Sequence, residues 1–177
     1  MVFSATLSEE VSVFLDSYLI TPVRVEAARV GLPLEKIDQT GYRVPNFLSK
    51  VVLLRHLIQQ TDDSSKIIVF VSSRTLADLL FEALEGSLTD TLGIIHSNKA
   101  QNYRFDTVRN FQAGEISILI ATDLIARGID VTDVSHVINF DIPESPENYI
   151  HRIGRTGRAD KNGIAITYIT KANSAVT

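Results

Sequence analysis

Ile116-Ser117-Ile118-Leu119-Ile120-Ala121-Thr122-Asp123 runs as an apolar, β-branched segment and stops abruptly at a hydroxyl and a carboxylate. A short run of this kind reads as a strand buried on both faces. Residues 66–71, 91–95, 136–140 and 164–169 share its character, and the sheet they form is expected to begin near Ile37. Between the runs, apolar residues return at three and four positions. Phe47, Leu48, Val51, Val52, Leu54, Leu57 and Ile58 make one stripe, Leu76, Leu79, Leu80 and Leu84 a second, and Phe105, Val108 and Phe111 a third. Strand and helix therefore alternate, which predicts right-handed βαβ units and a mostly parallel sheet with helices on both faces. Ligands of such sheets sit at the carboxyl ends of the strands.

The composition agrees with a compact α/β domain. Of 177 residues, 45% are hydrophobic and 21% charged, too apolar for a disordered chain. There is no cysteine, so disulfides, thiolate zinc sites and cysteine nucleophiles are excluded, and a reducing compartment, the cytoplasm, is the default expectation. No apolar run approaches the length of a membrane helix, and no basic region precedes an apolar one at the start, so no membrane partner is expected. The net charge of −4 argues mildly against nucleic acid, but the arginines are not spread evenly. Residues 1–30 read as a separate piece: Ser8 with Glu9 and Glu10 opens a helix to about Leu19, residues 22–26 form a short strand, and Gly31 and Pro33 mark a linker.

Three constellations carry chemistry. His151-Arg152-Ile153-Gly154-Arg155-Thr156-Gly157-Arg158 holds three arginines and two glycines in eight residues, with no acid. Guanidinium forks onto phosphate oxygens, and glycine lets the backbone come close. A solvated helix end pairing with Asp141, Glu144 and Glu147 is the plainer alternative. Thr122-Asp123, followed by Ala126-Arg127-Gly128-Ile129-Asp130, stands at the carboxyl end of a strand, where a hydroxyl can donate to phosphate and a carboxylate can accept from ribose. Helix capping and an Asp130–Arg127 salt bridge are the alternatives. His96, Gln101 and Arg104, with Lys99 and Arg109 beside them, surround a basic helix start that favours anions, and Ser72-Ser73-Arg74 follows a strand in the same manner; a solvated helix start and N-capping are the respective alternatives. The four histidines lack ligand spacing, so no metal site is expected, and no dinucleotide, Walker or nucleophile-elbow motif occurs.

In combination these residues resemble the C-terminal RecA-like lobe of a DEAD-box ATP-dependent RNA helicase, over about residues 37–170. Val69-Phe70-Val71-Ser72-Ser73-Arg74 resembles motif IV, Thr122 to Asp130 resembles motif V, and His151 to Arg158 matches motif VI throughout. Phe3-Ser4-Ala5-Thr6-Leu7 resembles motif III of the first lobe, so residues 1–30 are expected to be a remnant of that lobe and 31–177 the helicase C-terminal domain. Three positions depart from the family pattern: Ser97 follows His96 where glycine is usual, Asp160 stands where a glycine is common after motif VI, and Ser73 replaces a common threonine.

The resemblance implies a RecA-like three-layer sandwich and ATP bound between two lobes. Arg155 and Arg158 would act on the γ-phosphate, with Gly128 and Asp130 also at the nucleotide and the Mg²⁺ ligands on the missing first lobe. RNA would be gripped through its backbone by Ser73, Arg74, Gln101, Arg104 and Thr122. Ser4, Thr6, His151 and Arg152 would couple the lobes. It further implies that the chain alone does not hydrolyse ATP, and that residues 1–30, without their native partner, promote self-association or a domain swap. The competing readings are a DNA-directed helicase or translocase lobe and a non-catalytic RecA-like module that binds protein.

Overall fold

The computed structural model describes residues 34–62, 64–88, 91–123, 131, 134–157 and 161–170. The chain divides into two compact units, Met1–Gly31 and Leu32–Thr177. The first lies outside the described residues, and with it the expectations placed on residues 1–30, including Ser4, Thr6 and self-association.

After a 3-10 turn at Leu34–Lys36, the second unit runs β1 (Ile37–Arg43), α1 (Phe47–Gln59), β2 (Ile67–Val71), α2 (Arg74–Leu88), β3 (Leu92–Ile95), α3 (Gln101–Ala113), β4 (Ile118–Thr122), β5 (His136–Asn139), α4 (Pro146–Ile153) and β6 (Gly163–Ile169). The six strands form one sheet in the order β1-β6-β5-β2-β4-β3, and every pairing is parallel. From β1 to β2 to β3 the chain moves one way across the sheet; from β3 it returns through β4, β5 and β6. Right-handed crossovers then require the outbound helices on one face and the returning helices on the other. That is the arrangement found. α1 and α2 pack with Val69, Ile120 and Tyr168, whereas α3 and α4 pack with Phe70, Leu119 and Ala165.

The continuous apolar runs follow from this layering. Ile67, Val69 and Val71 of β2 point to one layer and Ile68 and Phe70 to the other, so no position along the strand faces water. β1 is different. It is an edge strand in which Ile37 is buried and every later residue is exposed. Asn46 Oδ1 accepts from Ser49 N–H at 3.0 Å to open α1, and the Gly114 backbone, at φ 84°, closes α3 in the left-handed region.

The expected helical stripes need correction. Leu48 and Val52 are 73% and 68% exposed, because α1 turns Lys50, not them, toward the sheet. On α3, Phe105 is exposed while Thr107 and Phe111 go inward, and Leu79 of α2 is also exposed. Among the described residues no helix is long and apolar enough to cross a membrane.

Candidate functional site

The carboxyl ends of β2 and β4, neighbours in the sheet, open into a cavity of about 450 Å³ lined by Ser72, Ser73, Arg74, Ser97, Thr122, Asp123, Glu144 and Asn148. Thr122 is the last residue of β4 and Ser72 is the first beyond β2. The Ser73 hydroxyl accepts from Leu76 N–H at 3.2 Å, capping α2, and so the helix starts at the cavity wall with Arg74 as its first residue. Arg74 Nη1 donates to Asn98 Oδ1 at 2.5 Å. Asn98 is in turn held by His96: its N–H donates to His96 Nδ1 at 3.3 Å, which puts the ring proton on Nε2, 3.1 Å from Asp78 Oδ1. Burial pushes the Asp78 carboxyl up, but hydrogen bonds from His96 and Lys99 outweigh this and leave it below its ordinary value.

α4 supplies the arginine loop. Ser145 Oγ accepts from Asn148 N–H at 3.2 Å, with Pro146 as the first helical residue. At the other end Arg152 is 2% exposed and points inward. Its Nε and Nη2 fork onto the Asp123 carboxylate at 2.5 and 2.6 Å, and Nη1 donates to Asn139 Oδ1 at 3.1 Å and to the Asp141 carbonyl at 2.7 Å. The guanidinium also lies 5.1 Å from the Phe70 ring centre. Beyond it, Thr156 Oγ1 donates to the Val134 carbonyl at 2.5 Å, and Gly157 adopts φ 66° against Ile37, where a Cβ would approach Ile37 Cγ1 to 2.6 Å. The loop is thus clamped to the base of β5 and the start of β1. Arg155 emerges from it half-buried, beside a small apolar crevice lined by Phe70, Ile95, Ala121 and Val131.

The residues singled out in the sequence separate accordingly. Ser73, Arg74 and Thr122 come together in one cavity. Gln101 and Arg104 stand at the start of α3, linked by a 3.4 Å contact, and Arg104 Nε is buried without a hydrogen-bond partner. His151 is exposed on α4. Arg152, expected to reach the other lobe, is instead taken up inside the domain, since both its forks are satisfied by Asp123, Asn139 and Asp141. Gly128, Asp130 and Arg158 lie outside the described residues. Among the described residues no cluster of His, Cys, Asp or Glu could hold a metal ion.

Sequence reasoning missed the internal partners. Lys50 is 5% exposed, and its Nζ donates to the Phe140 carbonyl at 2.7 Å and to Asp141 Oδ1 at 2.9 Å. The plainer alternative pairs Asp141 with the arginine loop; its side chain goes instead to Lys50 and Ser72, and only its carbonyl receives Arg152. The signal for Lys50 was present: positions 47, 50, 51, 54, 57 and 58 make a cleaner helical face than the set that included 48 and 52.

A family model for the helicase conserved C-terminal domain matches residues 49–160. The chain is 40% identical over 176 residues to the probable ATP-dependent RNA helicase DDX23 of Homo sapiens, covering 99% of this chain and 21% of that protein. It spans about a fifth of the length of that relative. Among solved structures, the C-terminal domain of the DEAD-box protein Dbp5 is similar with TM-score 0.71 and 31% identity, covering 80% of this chain and 81% of that one. Dbp5 of S. cerevisiae bound to RNA and ADP BeF3 is similar with TM-score 0.77 and 28% identity, covering 97% of this chain and 45% of that one.

Proposed function

This chain belongs to the helicase conserved C-terminal domain family, among the DEAD-box proteins, and on that footing we propose that it is the second lobe of an ATP-dependent RNA helicase. The observation that carries the reading is the cavity at the carboxyl ends of β2 and β4. Ser73 and Thr122, each carrying a hydroxyl, line it together with Arg74, and among the described residues none of its lining is aromatic. Donors of this kind grip phosphates and leave the bases unread, as a helicase indifferent to sequence requires. Gln101 and Arg104 extend that track along the start of α3. Binding of RNA by Dbp5, similar over nearly the whole chain, supports the assignment.

ATP is the second ligand in this reading, held between this lobe and a first RecA-like lobe that brings the Mg²⁺ ligands. ATP supplies the phosphoryl group whose transfer to water drives the cycle. Arg155, held out by the clamped loop, would meet the γ-phosphate together with Arg158, while Gly128 and Asp130 would contact the nucleoside side. An arginine so placed is worth roughly 10³–10⁵ in rate. His151, exposed on α4, would couple this lobe to the first, as Ser4 and Thr6 would from the first lobe's side. Arg152 serves the same loop from within, by holding α4 to Asp123. The protein would work in the cytoplasm, and residues 1–30 would offer an apolar face to that first lobe or to a second copy.

The test joins this chain to the first lobe of a DEAD-box relative and measures ATP hydrolysis with single-stranded RNA or DNA. Stimulation by RNA and not by DNA is expected, with no hydrolysis by the chain alone. Equal stimulation by DNA would favour a DNA translocase, and RNA binding absent altogether would favour a protein-binding module.

A further inference from the structure

Asp141 lies two residues beyond the end of β5, where three elements meet. From α1, the buried Lys50 Nζ reaches its Oδ1 at 2.9 Å and sits 5.1 Å from the Phe140 ring centre. From the turn after β2, Ser72 gives its Oδ2 two hydrogen bonds, from the backbone N–H at 3.0 Å and from Oγ at 2.8 Å. From α4, Arg152 Nη1 donates to its carbonyl at 2.7 Å. Burial pushes the carboxyl up, yet the Lys50 and Ser72 donors overcome this and keep it ionised below its ordinary value.

None of these contacts faces the cavity from Asp141 itself, but Ser72 is the first residue of the Ser72-Ser73-Arg74 turn that does. An ionised side chain that accepts both Ser72 donors fixes where that turn stands relative to α4. We propose that Asp141, locked by Lys50, is a positioning residue that holds the phosphate-gripping turn in register with the arginine helix. Lys50 matters because a carboxylate here without its cation would be buried and uncompensated, and the turn would lose its fixed acceptor. The inference rests on the reading of the cavity as a phosphate-backbone site.

The sharpest variant is Asp141→Asn. It keeps the shape, but an amide has one acceptor oxygen. Lys50 has no acceptor atom, so that oxygen stays with Lys50 and the amide NH₂ meets the Ser72 N–H, donor against donor. In the two-lobed protein the RNA concentration giving half-maximal ATPase stimulation should rise about tenfold, with kcat at saturating RNA within about twofold of the parent. Lys50→Met should do the same, and Lys50→Arg, which keeps a buried cationic donor, should restore the parent value. A merely structural role would lower the melting temperature and leave half-saturation unmoved. In the chain alone, exchange of the Ser72 amide with solvent deuterium should quicken about tenfold in Asp141→Asn. Half-saturation within twofold of the parent, or an unchanged Ser72 exchange rate in the folded variant, would overturn the proposal. A parent protein that RNA does not stimulate would sink the functional reading, whatever Ser72 does.

Discussion

Replacing Arg152 with methionine separates a buried clamp from an exposed contact. Methionine matches the length of the aliphatic stem and can still lie against Phe70, so the change removes charge and donors with little loss of volume. The Asp123 carboxylate loses both forks, Asn139 Oδ1 loses a donor, and so does the Asp141 carbonyl. Removing one partner of a buried pair costs about 3–5 kcal/mol, chiefly because the survivor stays buried without compensation. Asp123 keeps 28% of its side chain exposed and can recover some water, which puts the expected loss near the lower end, about 3 kcal/mol. For a domain of this size that is a fall in melting temperature of about 6–12 °C. Urea unfolding followed by circular dichroism measures the free energy, and a thermal scan gives the temperature. Arg152→Lys, which restores a charge without the planar fork, should fall between. If Arg152 instead served only a neighbouring lobe, the isolated chain would lose under about 0.5 kcal/mol, as at ordinary surface positions. A loss below about 1 kcal/mol would refute the assignment of Arg152 to the interior.

Gly163→Ala should destabilise by about 3 kcal/mol, the upper end for an overpacked site, because the new Cβ would collide with Thr156 Oγ1 and stand 2.5 Å from the Gly157 backbone nitrogen; denaturant titration checks this. Asp141 and His136 are two of the groups that shape the acid limb of stability. Asp141 ionises below its ordinary value of 3.8 in the folded chain, so its contribution is complete above that pH and fades as pH falls through the folded value. The His136 ring is depressed below 6.5 by burial, so the unfolded chain takes up that proton first and stability should decline as pH drops below 6.5; His136→Gln should flatten that part of the curve in pH-dependent unfolding. In the two-lobed protein, Arg74→Ala should weaken RNA binding and reduce its salt slope by about one charge, whereas Arg155→Ala should cut stimulated turnover by roughly 10³–10⁵ and spare RNA affinity, both read from binding isotherms and steady-state rates.

What the sequence disclosed tracked how completely an element is enclosed. β2 and β4 were legible because both their faces meet a helix layer, leaving no polar position to confuse the pattern. β1, Ile-Asp-Gln-Thr-Gly-Tyr-Arg, carries almost no apolar signal because an edge strand exposed beyond its first residue has little to bury. In α1 and α3 the spacing found the helices but misjudged their orientation, since Lys50 and Thr107 occupy inward positions that a hydrophobicity count gives to Leu48 and Phe105. The cavity was half legible: hydroxyls and guanidinium after apolar runs announced Ser73, Arg74 and Thr122. Nothing local announced that Lys50 would meet Asp141, 91 positions away, because only the sheet order brings them together.

The outer strand β1 has β6 as its strand partner, with Ile37 beside Gly163 and Arg43 beside Ile169. Gly163 lies 120 positions beyond the end of β1, so during synthesis that strand waits without its neighbour until nearly the whole domain has been made. At roughly 5–20 residues per second the delay is about 6–24 s. Through that interval the backbone N–H and C=O groups of residues 37–43 are open to any extended segment nearby, which gives a ribosome-associated chaperone a definite segment to shield. A chain cut just before β6 would leave β1 permanently without that neighbour, and its tendency to aggregate would exceed what the loss of a seven-residue strand from the core suggests.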